Sequence, residues 1–419
     1  MIFTANQIIE ALKPIKYNIK YHSYNSIAID SRKCTQGSIF FALKGEKTDG
    51  HLHIPSAFKN GAFLAITEKQ IENFPFLMVK DTRKSLVDFL QYFLGKITVK
   101  KIAITGSIGK TTTRVFLKHL IGESAVTTEK NYNTEVSIPT ILNNVDQNTN
   151  YLIFEFGMQH KGDIEYLSKA VKPNVSIITK VSNVHKEFFS NVKEIIQEKI
   201  SLLNYTSEFA VLESDLKKYT DFKNAIYIPY KLKKSLPYVH LFLEYDGRKE
   251  LILKNIPSLF SPNLRMALEV CKFLKIPFEK LNVRNLHLPE NRFNLKKYGE
   301  IDVIADYYNS SPYSLDSAIN YLRYFLKDRR VIVVLGDMLE LGDDSLDEHK
   351  KLSEKLKNFD LVILYGNLMK FANKTYNYFE DKEEAIKFLL KNIRKNDLIF
   401  IKGSRGMKME EFEEALKCR

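Results

Sequence analysis

Short apolar runs that end in glycine or polar residues alternate with helix-like stretches along most of this chain. In the middle of the sequence the apolar runs fall at residues 101–105, 151–157 and 175–181, and amphipathic helical patterns separate them. Apolar runs that alternate with helices are typical of a parallel sheet covered by helices on both faces. The pattern therefore predicts an α/β fold.

The same pattern divides the chain into three segments. Residues 1–97 predict a small α/β domain, with a helix near 54–60 and a strand at 63–66. Residues 98–288 predict a central parallel-sheet domain, and residues 289–419 repeat its signature as a Rossmann-like domain. The length of 419 residues also suggests about three domains of the usual size.

The junction between the first central strand and its helix has the composition of a phosphate-binding loop. Residues 106–113 are Gly-Ser-Ile-Gly-Lys-Thr-Thr-Thr. Glycines let backbone N–H groups surround phosphate oxygens, and the helix N-terminus adds positive potential. In such a P-loop Lys110 can reach the β and γ phosphates and Thr111 can ligate Mg²⁺. Ile104 stands where the common P-loop has its first glycine, so this loop is a shorter form.

Two neighbouring strands are expected to bring further ligands to the same edge of the sheet. Glu155 lies at the end of the run at 151–157, and His185 follows the run at 175–181. Ligands of open α/β sheets sit at the carboxyl ends of the strands. A hydroxyl, a carboxylate and an imidazole together suit Mg²⁺ or Mn²⁺ held with the phosphates of a nucleotide.

Lys199 interrupts the apolar stripe of the helix predicted at 192–203. Ile195, Lys199 and Leu203 fall at i, i+4 and i+8, on one helix face. Two interpretations remain open. The lysine can snorkel to the surface, or burial can lower its pKa and make it a reactive amine or a close partner of phosphate.

The composition is that of a soluble globular protein, with 44% hydrophobic and 27% charged residues. No uninterrupted apolar run is long enough to span a membrane, and the N-terminus lacks the features of a signal peptide. We therefore expect a cytoplasmic protein. Three widely spaced cysteines argue against a disulfide framework or a zinc site.

The net charge of +13 is compatible with a nucleic-acid surface or with a lysine-rich exterior that suits polyanionic small substrates. The lysines are scattered and no nucleic-acid motif is present, which favours the second interpretation. Ser31 and Arg32 follow a predicted strand and could hold an anionic ligand, although an exposed arginine commonly forms a surface ion pair instead. The absence of a G-x-G-x-x-G string argues against a nicotinamide cofactor.

Several strings together resemble the Mur ligases, the ATP-dependent amide-bond-forming enzymes of peptidoglycan precursor synthesis. Besides the phosphate loop they lie at residues 30–32, 49–51, 131–133, 155–157, 306–312, 336–342 with His349, and 402–408. The strings Gly-Asp-Met-Leu-Glu-Leu-Gly at 336–342 and Lys-Gly-Ser-Arg-Gly at 402–406 are the most specific. The resemblance covers nearly the whole chain and points to the type that joins D-alanyl-D-alanine to UDP-N-acetylmuramoyl-tripeptide.

The resemblance implies a division of labour among the three domains. The first would hold the UDP end of the precursor, the central one ATP, and the third the incoming amino component. It implies ATP with one or two Mg²⁺ ions, an acyl-phosphate intermediate, a carboxylated Lys199 and a monomeric chain. UDP-N-acetylmuramoyl-tripeptide and D-alanyl-D-alanine would be its partners, without nucleic acid or membrane insertion.

The resemblance also implies roles for individual residues. Lys110, Lys199 and His185 would be catalytic, and Thr111, Glu155, His185 and the Lys199 carbamate would ligate metal. Nucleotide contacts would come from Gly106, Ser107, Gly109, Lys110, Thr111 and Thr112, from Asn263 at adenine, and from Arg292 and Asp306 of the third domain. Substrate contacts would come from Ser31, Arg32, Asp49, Gly50, His51, Asn131, Asn133, Tyr308 and Asn309.

Three positions depart from the pattern of the family. Phe260 stands where an asparagine is common three residues before Asn263, Ala305 replaces the first of two aspartates, and Ser311 replaces a later asparagine. Two alternatives remain. One is a sibling ligase that adds a single amino acid to a muramoyl or folate-like substrate. The other is a P-loop ATPase or basic nucleic-acid-binding module.

Overall fold

The structure, a computed structural model, describes residues 1–45, 48–129, 132–182, 189, 191–230, 237–245, 247–372 and 375–418. Two predicted site residues, Asn131 and His185, lie outside the described residues. Along the part of the chain that is described, no helix is both long and apolar enough to cross a membrane.

The N-terminal part of the chain has seven strands, five of which form one sheet. The strands are β1 (Phe3–Thr4), β2 (Lys16–Asn18), β3 (Ser23–Tyr24), β4 (Ser26–Ala28), β5 (Ser38–Phe41), β6 (Ala62–Thr67) and β7 (Phe76–Met78). Its helices are α1 (Ala5–Leu12), α2 (Ile54–Lys59) and α3 (Thr82–Leu94). The sheet order is β2-β7-β6-β5-β4, and only the edge strand β2 is antiparallel, while β1 and β3 form a separate pair. The predicted helix and strand of this segment are present as α2 and β6.

The central part is a six-stranded, wholly parallel sheet. Its strands are β8 (Lys100–Thr105), β9 (Ala125–Thr127), β10 (Tyr151–Glu155), β11 (Val175–Ile178), β12 (Phe209–Glu213) and β13 (Ala225–Ile228), in the order β13-β12-β11-β8-β10-β9. Its helices are α4 (Lys110–Ile121), α5 (Asp163–Val171) and α6 (Val192–Ile200). An antiparallel hairpin, β14 (Tyr238–Glu244) and β15 (Arg248–Pro257), precedes α7 (Ser261–Phe273), which packs on α4.

Strand β8 lies between β10 and β11 and is buried on both faces. Ile102 and Ile104 belong to a core formed with Phe116 of α4 and Leu264 of α7. Ala103, on the other face, belongs to a second core with residues of α3, α5 and α6. Burial of alternate residues on opposite faces explains why three consecutive residues of the strand, Ile102 to Ile104, are apolar. It also places the phosphate loop at the centre of the sheet edge.

The C-terminal part is a second six-stranded sheet. Its strands are β16 (Asn294–Tyr298), β17 (Ile301–Asp306), β18 (Val331–Gly336), β19 (Leu361–Tyr365), β20 (Asn377–Phe379) and β21 (Leu398–Lys402), in the order β16-β17-β21-β18-β19-β20. Its helices are α8 (Pro312–Leu322), α9 (Ser345–Lys355), α10 (Lys382–Asn392) and α11 (Glu410–Lys417). Only β16 is antiparallel.

Two local features differ from the sequence expectations. The helix expected to reach residue 203 ends at Ile200, and a 3₁₀ helix, Ser201–Tyr205, completes the segment. The edge strand β16 was not anticipated, because it is only half-buried and has no apolar run. An antiparallel edge strand needs few apolar residues when one of its faces meets water.

Candidate active site at the carboxyl edge of the central sheet

Two glycines give the loop between β8 and α4 its shape. Gly106 has φ +144°, and a Cβ there would lie 1.9 Å from Thr179 Oγ1. Gly109 has φ +92°, and a Cβ there would lie 2.2 Å from Asn263 Nδ2. Only glycine combines these backbone angles with so close an approach of neighbouring side chains. The two predicted phosphate-loop glycines are therefore required by local geometry.

The segment that follows β11 holds the loop from one side. The backbone N–H groups of Ser107 and Ile108 donate to the Lys180 carbonyl at 2.9 and 3.1 Å. The Ser107 hydroxyl donates to the Ser182 carbonyl at 3.1 Å. The loop is therefore fixed to a neighbouring strand end through its own backbone.

Lys110, the first residue of α4, folds back over the loop. Its ammonium donates to the Gly106 carbonyl at 2.8 Å. Burial lowers the pKa of Lys110, and the Arg292 charge adds to this effect while Glu155 opposes it. A phosphate group bound in the loop would favour the charged amine, because it would place negative charge beside a desolvated cation.

Glu155, at the end of β10, faces the first turn of α4. The Thr111 hydroxyl donates to Glu155 Oε1 at 3.1 Å, and Asn133 Nδ2 lies 3.4 Å from the same oxygen. Arg114 Nε donates to the second carboxylate oxygen at 3.1 Å, and both of these side chains are buried. A hydroxyl and a carboxylate beside a phosphate loop provide the hard oxygen ligands that Mg²⁺ takes.

The fit to a magnesium ion depends on more than acidic side chains. Across the described ranges, no group of three or more His, Cys, Asp or Glu residues forms a metal cluster. Oxygens of Thr111 and of bound phosphate would therefore complete any coordination by Glu155, as is usual for Mg²⁺. Arg114 was not anticipated from the sequence, although it lies one helical turn after Lys110.

Lys199 is buried inside α6, with 1% of the residue exposed. Its amine lies 3.5 Å from Met158 Sδ. Burial holds the pKa of Lys199 well below its usual range, and the Lys110 charge lowers it further. The snorkelling interpretation is therefore wrong. The burial that the second interpretation requires is present, and the role of the amine as a reactive group or a close partner of phosphate stays a prediction.

Glu198, the neighbour of Lys199, binds the N-terminus of α5. Its carboxylate accepts the backbone N–H groups of Gly162 and Ile164 at 2.9 Å each, at the start of α5. A carboxylate at a helix N-terminus is stabilised by the unpaired N–H groups and the helix dipole. Glu198 opposes the lowering of the Lys199 pKa without bonding to the amine.

Arg292 extends from the C-terminal part of the chain to the phosphate loop. Its guanidinium donates to Thr111 Oγ1 at 3.3 Å and lies 4.2 Å from the centre of the Tyr308 ring. Stacking on an aromatic face suits the planar guanidinium. The third segment thus contributes a cation directly at the predicted nucleotide site.

A buried ion pair fixes the turn after β17. Lys402 donates to Asp306 Oδ2 at 2.7 Å and to the Asn309 carbonyl at 2.9 Å. Burial raises the pKa of Asp306, and the charges of Lys402 and Arg292 oppose that shift. The predicted residues Asp306, Tyr308 and Asn309 are therefore held together with Arg292.

Asn263 lies behind the phosphate loop rather than in an open cleft. Its Nδ2 group lies 3.2 Å from the Gly109 carbonyl, 3.0 Å from Thr113 Oγ1 and 2.8 Å from the Tyr230 hydroxyl. The residue is 3% exposed. In this arrangement its amide supports the loop. The predicted contact with adenine stays a prediction.

The predicted residues of the N-terminal segment form local networks away from this edge. Arg32 pairs with Asp30 at 2.7 Å, and its side chain is 85% exposed, as the surface ion-pair alternative expected. The Ser31 carbonyl accepts Asn60 Nδ2 at 3.0 Å. Among the described contacts, neither Ser31 nor Arg32 touches the phosphate loop.

The string Asp49-Gly50-His51 also forms its hydrogen bonds locally. Asp49 accepts from the His51 backbone N–H at 2.9 Å and lies 2.6 Å from His51 Nδ1, while His51 Nε2 accepts the Glu68 N–H at 2.9 Å. A Cβ on Gly50 would lie 2.6 Å from the Leu43 carbonyl oxygen. This string therefore builds a tight turn next to β5.

Domain models of one enzyme family match most of this chain. The model described as Mur ligase family, catalytic domain, matches residues 23–87, and the Mur ligase middle domain matches residues 104–234. The model described as Mur ligase, glutamate ligase domain, matches residues 291–405. The matched ranges include the phosphate loop, Glu155, Lys199 and Arg292.

Named relatives are similar over nearly their whole lengths. A UDP-N-acetylmuramoyl-tripeptide–D-alanyl-D-alanine ligase of Rickettsia prowazekii is 28% identical over 92% of this chain and 94% of its own. A solved UDP-N-acetylmuramoylalanyl-D-glutamyl-2,6-diaminopimelate–D-alanyl-D-alanyl ligase of Acinetobacter baumannii is 25% identical, with a TM-score of 0.89 over 100% of this chain and 99% of that one. The MurF ligase of Thermotoga maritima, solved with ADP, is 25% identical, with a TM-score of 0.82 over 94% and 97%.

Proposed function

Since this chain belongs to the Mur ligase family, we propose that it joins D-alanyl-D-alanine to UDP-N-acetylmuramoyl-tripeptide and converts ATP to ADP and phosphate. The relatives are named for this activity, and their similarity to this chain extends over nearly its whole length. The observation that carries the proposal is the group formed by Lys110 and the Thr111–Glu155 pair at the phosphate loop. The buried amine of Lys199 lies against Met158, just after β10, and the Lys110 charge lowers its pKa.

The proposed reaction is the one that the family resemblance implies, and the charges at the phosphate loop suit it. The tripeptide carboxylate attacks the γ-phosphorus of ATP, and the bond from that phosphorus to the bridging oxygen breaks, which gives an acyl phosphate and ADP. The amine of D-alanyl-D-alanine then attacks the acyl carbon, loses a proton and displaces phosphate. Lys110 is placed to stabilise charge on the transferring phosphoryl group, so the catalysis is mainly positioning and electrostatics.

Thr111 and Glu155 would hold one Mg²⁺, and His185 with Lys199 would hold a second ion. Bound magnesium neutralises phosphate charge and orients the nucleotide. Lys199 suits carboxylation, because CO₂ adds only to a neutral amine and the desolvated environment lowers its pKa. The addition forms an N–C bond and releases one proton, and the resulting carbamate is anionic.

We propose the following roles for the three domains. Residues 1–97 hold the UDP end of the precursor, residues 98–288 hold ATP, and residues 289–419 hold the dipeptide. Ser31, Arg32, Asp49, Gly50, His51, Asn131 and Asn133 are the candidate precursor contacts, and Tyr308 and Asn309 the candidate dipeptide contacts. For the nucleotide the candidates are Gly106, Ser107, Gly109, Thr112, Asn263, Arg292 and Asp306.

We further propose that the enzyme works as a monomer in the cytoplasm, where ATP is supplied. The contact of Arg292 with Thr111 supports an active site completed within one chain. Closure of the C-terminal domain over the nucleotide would bring the dipeptide to the acyl phosphate and keep water away from it.

The test is phosphate release from Mg-ATP with UDP-N-acetylmuramoyl-tripeptide, D-alanyl-D-alanine, both or neither, with the mass of the product determined. Release that needs both substrates and yields the pentapeptide nucleotide supports the proposal. Single amino acids in place of the dipeptide test the sibling-ligase alternative. Release that ignores both substrates but responds to nucleic acid would instead support the P-loop ATPase alternative.

A further inference from the structure

The phosphate loop rests on two supports that come from distant parts of the chain. The Lys180 carbonyl accepts the N–H groups of Ser107 and Ile108. At the other end of the loop, Asn263 Nδ2 donates to the Gly109 carbonyl at 3.2 Å. Because the loop contains glycines with positive φ, it has more conformational freedom than other segments, and outside contacts must restrict it.

The Tyr230 hydroxyl contacts the second of these supports. It accepts from Asn263 Nδ2 at 2.8 Å and lies 4.0 Å from Met266 Sδ. The hydroxyl would lie 3.1 Å from a Cβ on Gly109, so it reaches the back of the loop itself. Tyr230 follows β13, and two strands, β12 and β11, lie between β13 and the β8 strand that leads into the loop.

We propose that Tyr230 is a positioning residue for the nucleotide, which acts through Asn263 to hold the phosphate loop in its binding conformation. The inference rests on the proposed ATP-dependent function. A preformed loop binds phosphate more tightly, because the entropy of ordering is not lost on binding.

The chemistry of the site requires a hydroxyl rather than a ring alone. Asn263 Nδ2 has two hydrogens and three neighbouring acceptors, the Gly109 carbonyl, Thr113 Oγ1 and the Tyr230 hydroxyl. The Tyr230 hydroxyl accepts the shortest of these three contacts, so its removal would take away the bond that most closely sets the orientation of the amide facing the Gly109 carbonyl. Burial raises the pKa of Tyr230, so the hydroxyl stays neutral at the working pH of an enzyme.

The test compares Tyr230→Phe with Tyr245→Phe. Tyr245 is a buried tyrosine whose hydroxyl donates to the Ile276 carbonyl, on the hairpin side of the same domain. We expect Tyr230→Phe to raise the Kd for Mg-ATP, measured by calorimetry, and the KM for ATP by about tenfold, the size expected for one buried hydrogen bond. The KM for D-alanyl-D-alanine and the melting temperature should stay near wild type. Tyr245→Phe should leave the Kd unchanged.

A double-mutant cycle tests whether Tyr230 acts through Asn263. In an Asn263→Ala background, Tyr230→Phe should raise the Kd for Mg-ATP by much less than it does in wild type. An unchanged Kd for Tyr230→Phe, or fully additive effects, overturns the inference and leaves the proposed function intact. A wild-type protein that fails to bind Mg-ATP would overturn both.

Discussion

At the scale of single residues, Lys110 is the cation that the phosphate loop itself supplies at the start of α4. Its ammonium donates to the Gly106 carbonyl, so it is already directed into the loop. Lys118, on the same helix, donates to the Gly122 carbonyl at 2.9 Å at the other end. Each of the two lysines thus donates to a glycine carbonyl, but only Lys110 lies at the phosphate loop.

We predict that Lys110→Ala lowers turnover by at least about 100-fold, because it removes the cation that stabilises phosphoryl transfer. The melting temperature should change by only a few degrees. Lys118→Ala is the matched control and should keep near-normal turnover. Phosphate release and calorimetry measure both quantities. Near-normal turnover in Lys110→Ala would remove this lysine from the mechanism.

Lys199 offers a second test at the residue scale, since it is the proposed site of carboxylation. We predict that Lys199→Ala inactivates the enzyme and that acetate or formate partly restores turnover, because a small carboxylate can occupy the space of the carbamate. Lys193→Ala, at an exposed position of the same helix, should remain active and indifferent to added carboxylate. Wild-type turnover in Lys199→Ala would exclude a role for the amine.

At the scale of elements, α4 begins and ends at glycines with positive φ. Gly109 has φ +92° and ψ −2°, and Gly122 has φ +83° and ψ −149°. A Cβ on Gly109 would lie 2.2 Å from Asn263 Nδ2, whereas a Cβ on Gly122 would have no atom within 4 Å. The pair therefore separates backbone strain from a steric clash in the loop.

We predict that Gly109→Ala destabilises the fold by about 1 kcal/mol and Gly122→Ala by about 1 to 3 kcal/mol, because alanine is strained at positive φ and most strained at the ψ of Gly122. Only Gly109→Ala should also raise the KM for ATP, by about tenfold or more, since the clash displaces the loop. Thermal unfolding and steady-state kinetics give the two readouts. Equal KM values in the two variants would contradict the role assigned to loop geometry.

The contact between β18 and α9 depends on a neutral histidine. His349 is fully buried, its Nε2 accepts the Met338 N–H at 3.1 Å, and its Nδ1 lies 2.6 Å from the Ser345 carbonyl. Burial lowers the pKa of His349. Because protonation of Nε2 would remove its acceptor, the folded state binds this proton less readily than the unfolded chain.

We predict that stability falls as the pH drops below about 6.5, the ordinary pKa of histidine, by at most about 1.4 kcal/mol per pH unit from this group. The His349→Gln variant should be less stable at pH 7.5 and should lose less stability between pH 7.5 and 5.5. His53→Gln, at an exposed site, should keep the wild-type pH dependence. Melting temperatures at both pH values measure it, and equal slopes for wild type and His349→Gln would refute it.

At the scale of the whole molecule, Arg292 connects the C-terminal part to the phosphate loop. Its contact with Thr111 crosses from one part to the other, while its stacking on the Tyr308 ring lies within the C-terminal part. Substrates held on separate domains must meet before reaction, and a cation that bridges the domains at the nucleotide favours that closed arrangement.

We predict that Arg292→Ala lowers kcat/KM for ATP by about 10- to 100-fold, because the variant loses both a phosphate-side charge and a contact across the domains. The melting temperature of Arg292→Ala should stay near that of the wild type. Arg284→Ala is the control. Arg284 is exposed near the end of the central domain, and this variant should behave as wild type. Unchanged kinetics in Arg292→Ala would show that the bridge does not serve the reaction.

The sequence alone determined the order of features along the chain at the phosphate loop. An apolar strand leads into the glycines and Lys110, and residues such as Glu155 stand at the carboxyl ends of later strands. These features are local, since periodicity and glycine positions depend on neighbours in the chain. The predicted α/β class and the resemblance to the Mur ligases were confirmed by the sheet topology and the domain matches.

Tertiary structure decided which side chains meet. The sequence placed Lys199 on an apolar stripe, but only the approach of Met158 showed that the amine is buried. The partners of Glu155, above all Arg114, and the position of Tyr230 behind the loop depend on segments far apart in the chain. Periodicity describes the face on which a residue lies, whereas its contacts depend on how the other elements pack against that face.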